Sequence, residues 1–187
     1  MNQIITQGNS TRGYLTDDEM RKIAPSLFTP HASPHVSDRY QYVSTIDVIN
    51  TMRKAGYEPV KAGQVRARNS EGGLYNRHVV RMMHRNYLEP SMRNVGDVVP
   101  QIMLQNAHNR TSAFQLGCGL ERLVCSNGLA VSIAAISGVR VLHNDANIHD
   151  HILEGTQYIH EVTETIVTPQ VEAMTNKVLT KAMQRDF

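Results

Sequence analysis

The sequence predicts an α+β domain: an antiparallel sheet of hairpins packed against helices, closed by a long kinked C-terminal helix. Three observations lead there. Extended segments come in pairs around short turns, residues 57–68 with 74–85 and 98–106 with 111–118. Polar residues followed three positions later by a carboxylate, Thr16/Glu19 and Ser44/Asp47, open helical patterns. From Ile148 the apolar seam runs through 152, 155 (a glycine), 159, 162 and 166 at four-three spacing, and Pro169 interrupts it. A chain of 187 residues suits a single domain and buries a core without disulfide staples.

Taken in order, residues 1–14 are polar and aperiodic and are expected to form a flexible arm, leaving 15–187 as the α+β domain. A short helix over 17–24 follows Thr16 and ends at Pro25. Residues 28–37 carry Pro30 and Pro34 and read as loop. Residues 40–43 are expected as a strand, and the helix after Ser44 carries Ile46, Val48, Ile49 and Met52 until Gly56 closes it.

The first hairpin turns at residues 70–73. Its register is open: if Arg66 faces Arg77, two like charges meet and ask for an anion between them. In the second hairpin, pairing Leu104 with Phe114 and Ile102 with Leu116 gives one apolar face and leaves Gln101, Gln105 and Gln115 on the other. The glycines at 117 and 119 predict a bulged strand or short helix ending at Asn127-Gly128, and residues 129–133 and 139–143 two further strands. The final helix is expected over about 147–184, with Asp150 and Glu154 near its start and Lys177, Lys181 and Arg185 near its end, as the helix dipole favours. Its seam packs on the sheet or against a second subunit, a possible homo-oligomer.

Charge is unevenly spread. Residues 53–93 hold nine Lys or Arg against three Glu, whereas 144–174 hold six carboxylates and no Lys or Arg, so the net charge of +2 hides a dipole. Cations at that density, interleaved with Tyr57, Tyr75 and Tyr87, suit a polyphosphate partner, because cations displace counterions and rings stack on bases. A solvated basic face accounts for the same letters. The candidate nucleic-acid-binding residues are Lys61, Arg66, Arg68, Arg77, Arg81 and Arg85, holding the backbone, with Tyr75 and Tyr87 stacking bases.

The densest set of metal-ligating types is His143, Asp145, His149, Asp150 and His151, although no established ligand spacing is present and Asn147 and Asp150 also fit a helix start. A divalent metal is the only cofactor the sequence raises. Glu121-Arg122 lies among leucines and is expected to form an ion pair. The two cysteines, Cys118 and Cys125, match neither a redox pair nor a zinc framework and read as buried thiols in a reducing compartment. No Walker loop, GxGxxG or GxSxG occurs, which removes the sequence signs of nucleotide hydrolysis and of hydrolase-elbow chemistry. No apolar run reaches the roughly 18–20 residues of a membrane span, so a cytoplasmic protein of a bacterial host with no membrane partner is expected.

Five stretches, residues 15–28, 37–49, 56–60, 99–108 and 120–129, together resemble the phage/plasmid-like protein family, a domain of unknown function found in phages, prophages and conjugative plasmids. The string Val124-Cys-Ser-Asn-Gly128 is the most specific piece. The resemblance implies a mobile-element setting and a chain shorter than the family's full length; it carries no active-site residues. The resulting expectation is a non-enzymatic DNA-binding protein, with single strands favoured and annealing, recombination or replication as the process served. The alternatives are a counter-defence protein that docks on a host nucleoprotein complex, and a metal-dependent nuclease using the histidine cluster.

Overall fold

The computed structural model describes residues 4–7, 13–66, 73–88, 96–123 and 130–175. Six strands form one antiparallel sheet in simple sequence order: β1 (Ile4–Gln7), β2 (Tyr57–Val65), β3 (His78–His84), β4 (Val98–Asn106), β5 (Phe114–Leu123) and β6 (Ala130–Val141). The helices are α1 (Asp17–Ile23), α2 (Thr45–Lys54), α3 (Ile148–Val162) and α4 (Thr168–Thr175). The fold is α+β, as the paired extended segments and capped helices predict.

α1 begins with the expected capping box: Glu19 N–H donates to Thr16 Oγ1, and Thr16 N–H donates back to the Glu19 carboxylate at 2.7 Å. Ser44 caps α2 by accepting from Asp47 N–H. α1, α2 and α3 bury one stripe each on the same face of the sheet. Met20, Leu27, Ile49, Met52, Ile148, Ile152 and Ile159 meet Val80, Met82, Ile102, Leu104, Phe114 and Leu116 in one continuous core. Each fully buried aliphatic side chain there contributes about 1.5–3 kcal/mol by leaving water.

Gly155 explains the gap in the α3 seam, because a Cβ at this position would lie 3.0 Å from Val139 Cγ1, so its absence lets the helix sit directly on β6. The expected kink is a single π-helical turn, Thr163–Val167, in which Thr168 N–H reaches back to Thr163 O. Pro169 follows immediately; it has no N–H to offer and its ring crowds the preceding turn, so widening that turn accommodates it.

Four expectations are corrected. Residues 4–7 do not belong to a free arm: they pair with β2, Ile4 opposite Val65 and Gln7 opposite Ala62, as the β-branched Ile-Ile-Thr run favours. Residues 40–43 are extended but join no ladder; Gln41 N–H donates to His143 O, and the Tyr40 and Tyr42 hydroxyls donate to Ala107 O and Thr29 O. The second hairpin is slipped by two residues, Leu104 facing Leu116 and Ile102 facing Cys118, because its turn is longer. An even slip keeps every side chain on its expected face, so the apolar and glutamine faces survive it. Residues 130–141 are one strand instead of two; its register against β5 shifts at 118/119 and 120/121, where the extra residues, 136 and 133, belong to β6 and not to the glycine-bearing strand in which a bulge was expected. The turn at 70–72, Cys125, Asn127-Gly128, Lys177, Lys181 and Arg185 lie outside the described residues. Cys118 is a buried free thiol whose pKa burial pushes up.

Candidate functional site

In an antiparallel meander every second turn falls at the same end of the sheet. The β2–β3 and β4–β5 connections and the segment after β6 therefore share one end, and the β3–β4 and β5–β6 connections share the other. This sorts the arginines that sequence density grouped together, and the expected continuous groove of Arg66, Arg77, Arg81 and Arg85 does not form.

Arg85 falls at the β3–β4 end, where Nη2 and Nε reach Glu58 Oε1 at 2.8 and 3.0 Å. Arg53 at the same end pairs with Asp17 at 2.7 Å. Arg81 and Lys61 sit side by side on the face of the sheet opposite the main core, and both contact Glu121 Oε1, at 2.9 and 3.1 Å. Glu121 is 2% exposed, and two cations offset its desolvation. Its partners are thus Lys61 and Arg81, not the neighbouring Arg122, which is exposed. Tyr87 packs with Met83, Leu88 and Val99 in a small cluster, and burial raises its hydroxyl pKa, so it is not a free stacking ring. Arg68 lies outside the described residues.

Arg66 and Arg77 remain at the β2–β3 turn end, where Val65 N–H donates to Arg77 O. Three arginines that density did not flag join that end of the sheet. Arg39 comes from the segment before α2, Arg110 from the tip of the β4–β5 turn and Arg140 from the end of β6; together they line a cavity of about 690 Å³. The polar side chains of Ser37, Thr111 and Ser112 border it, one wall is Tyr40 stacked on His143 at 4.5 Å, and no carboxylate lines it. None of these five arginines makes an ion pair with a described residue. Tyr75 stands beside the same turns: His108 N–H donates to Tyr75 O, and its ring lies 5.8 Å from that of His31. Across the sheet from β2 to β6 the end spans roughly 19 Å at about 4.8 Å per strand.

Arg110 has φ +65°, the left-handed region that non-glycine residues rarely enter. Asn109 holds the turn: its Oδ1 accepts from Thr111 N–H at 3.2 Å and from Thr111 Oγ1 at 2.6 Å. Beneath the turns lies a buried polar layer. His78 Nδ1 donates to Asn76 O, so its Nε2 accepts from Thr45 Oγ1 at 2.8 Å, which fixes a neutral tautomer. Burial first, then the neighbouring His108, lowers the His78 pKa to about 3. The His108 pKa is lowered to about 4 by burial and by His143, the Ser26 backbone working the other way.

His143 is pulled both ways. Burial lowers its pKa, while both ring nitrogens face carbonyl oxygens, Gln41 O at 2.8 Å and Asn106 Oδ1 at 2.9 Å, an arrangement a doubly protonated ring satisfies fully and a neutral ring only half. The expected metal cluster is dispersed accordingly. His143 points inward, Asp145 pairs with His151 at 2.9 Å, and His149 and Asp150 are exposed on the first turn of α3. Among the described residues no three His, Cys, Asp or Glu side chains gather as a metal site. No described helix is long and apolar enough to cross a membrane.

The one sequence signal that pointed to the missed arginines was topological. A meander places the 108–110 turn beside the basic first hairpin's turn, whereas Arg39 and Arg140 are single cations in otherwise unremarked segments.

Residues 32–187 match the family model described as Domain of unknown function (DUF932). The chain is similar to UPF0380 protein YfjQ of Escherichia coli (strain K12), 28% identical over 91% of this chain and 59% of the relative. It is also similar to UPF0380 protein YafZ of the same organism, 31% identical over 75% of this chain and 49% of the relative. The chain thus spans about half the length of the curated relatives it matches. No solved structure matches it significantly.

Proposed function

This chain belongs to the DUF932 family, and we propose that it is a non-enzymatic nucleic-acid-binding protein of a mobile element, favouring single-stranded DNA and serving its recombination or replication in the bacterial cytoplasm. The observation that carries the reading is the set of five arginines, 39, 66, 77, 110 and 140, brought from five separate segments to one end of the sheet without a carboxylate partner among the described residues. Guanidinium groups bind phosphate oxygens two at a time and stay charged at any working pH, so such an end is suited to a phosphate backbone. Tyr75 and the Tyr40–His143 stack offer ring faces beside it.

The test is gel-shift affinity for single and double strands as salt is raised, with and without added divalent metal. Five phosphate contacts predict a log–log salt slope of roughly −3.5 for single strands, at about 0.7 per contact. Replacing Arg66, Arg77 and Arg110 by glutamine should bring it to roughly −1.4 and weaken all sequences alike. Affinity indifferent to salt, or unchanged in that variant, defeats the reading. Metal-dependent cleavage of the strand would support the nuclease alternative instead.

A further inference from the structure

We infer that the Arg39–Arg110–Arg140 cavity is a site for a nucleotide bearing a terminal phosphate, a phosphomonoester, whether at a strand end or on a free mononucleotide. The inference rests on the nucleic-acid reading above and adds what the cavity itself selects.

Three features separate it from the rest of the basic end. It is concave and of a size that small ligands occupy, about 690 Å³, whereas Arg66 stands exposed at the end of β2. Three arginines from three separate segments line it, with no carboxylate among its lining residues. One internal phosphodiester brings a single negative charge, which one or two arginines satisfy; a phosphomonoester brings nearly two at neutral pH and three acceptor oxygens, which suits three. The third feature is a fixed ring wall. Tyr40 is tethered through its hydroxyl to Ala107 O at 2.6 Å and is stacked on His143, so its ring is held in place to receive a base or sugar.

The position of Arg110 gives independent support. It occupies a left-handed backbone position at the tip of a turn, where glycine or asparagine is cheaper, so the turn geometry alone does not call for arginine.

The experiment uses the full chain and internally labelled strands of about 12 nucleotides, identical except for a 5′-phosphate, a 3′-phosphate or hydroxyls at both ends. A nucleoside 5′-monophosphate and inorganic phosphate serve as calorimetric ligands. The phosphate-ended strand is expected to bind at least about tenfold tighter than the hydroxyl-ended one. The double substitution Arg39→Gln, Arg140→Gln, at two exposed positions, should erase that preference, so that phosphate-ended and hydroxyl-ended strands bind alike and both more weakly than to the wild type. Arg66→Gln with Arg77→Gln should weaken both kinds of strand while keeping the preference for the phosphate-ended one. A monophosphate that binds as tightly as the phosphate-ended strand identifies the free nucleotide as ligand; a weak one identifies the strand end.

Equal affinity for all three strands, with no heat from the monophosphate, overturns this inference and leaves the nucleic-acid reading standing. Monophosphate binding that the Arg39/Arg140 variant loses, with no strand bound at all, keeps the cavity assignment and removes the wider reading. Silence from every ligand removes both.

Discussion

Acidification from about pH 8 to about pH 5 is expected to strip much of the protein's stability, and the amount follows from two buried rings. In the unfolded chain each histidine takes up its proton near pH 6.5. In the native state His78 is held neutral until about 3 and His108 until about 4. Below pH 6.5 the unfolded chain therefore binds protons that the native chain refuses, so the stabilisation is complete above that pH and is lost as pH falls toward the native values. At about pH 5 each ring costs about 2 kcal/mol relative to neutral pH, and the pair about 4. That is a large part of the 5–15 kcal/mol typical of a domain. The hydrogen bonds agree with the sign, since His78 accepts from Thr45 and has no acceptor for a second proton on Nε2. His143, facing two carbonyl oxygens, stays out of the sum. Urea melts across the pH series supply the assay. The midpoint should drop by roughly 2 M at an m-value of about 2 kcal/mol per molar, and a His78→Gln, His108→Gln variant should show a flatter pH dependence between 7 and 5 whatever its absolute stability. A wild-type profile flat down to about pH 4, or an unaltered slope in the double variant, refutes the reasoning.

Glu121→Gln removes the shared partner of Lys61 and Arg81. Because those cations are 25% and 27% exposed and can regain water, a thermal or urea melt should show a loss of about 1–3 kcal/mol, below the full cost of breaking a buried pair. Gly155→Val forces two branched methyls into a space where even a Cβ meets Val139 at 3.0 Å, and should cost about 1–3 kcal/mol by the same measurements. Arg85→Gln breaks the pair with Glu58 and the hydrogen bond to Arg53 O, both remote from the arginine end, so strand affinity in a gel shift should stay within about twofold of wild type.

Local signals carried far. The capping box at Thr16, the Ser44 cap, the hairpin faces and the proline-marked kink each depend on residues within a few positions of one another, and each appears where the letters put it. What the letters left open were sums over distance. Arg81 looked like its neighbours Arg77 and Arg85 until folding set Glu121, forty residues on, beside it. Counting charges along the chain groups residues by sequence, whereas a meander groups them by which end of a strand they occupy. For the same reason Arg39 and Arg140 carried no sequence signal of convergence, and of the His143–His151 set, dense in sequence, Asp145 and His151 meet while His143 turns inward and His149 and Asp150 lie exposed. Residues 40–43 illustrate a milder case: their alternation is satisfied by hydroxyl tethers and a buried Val43 instead of a ladder, which periodicity alone does not distinguish.

The contrast between the two ends of the sheet bears on why the arginine cavity exists at all. At the β3–β4 end and on the sheet face opposite the main core, cations stand next to Asp17, Glu58 and Glu121, so folding neutralises them. At the opposite end Asp145 is taken by His151, and Arg110 is held at φ +65°. Relieving that backbone should separate stability from function. Arg110→Asn suits the left-handed position better and keeps a polar surface residue, so it should raise stability by up to about 1 kcal/mol in urea melts. It also removes one of three guanidinium groups from the cavity, so affinity for a phosphate-ended strand should fall several-fold while hydroxyl-ended binding changes less. An Asn variant that is less stable than wild type and binds both strands as before would show that Arg110 serves the turn and not a ligand.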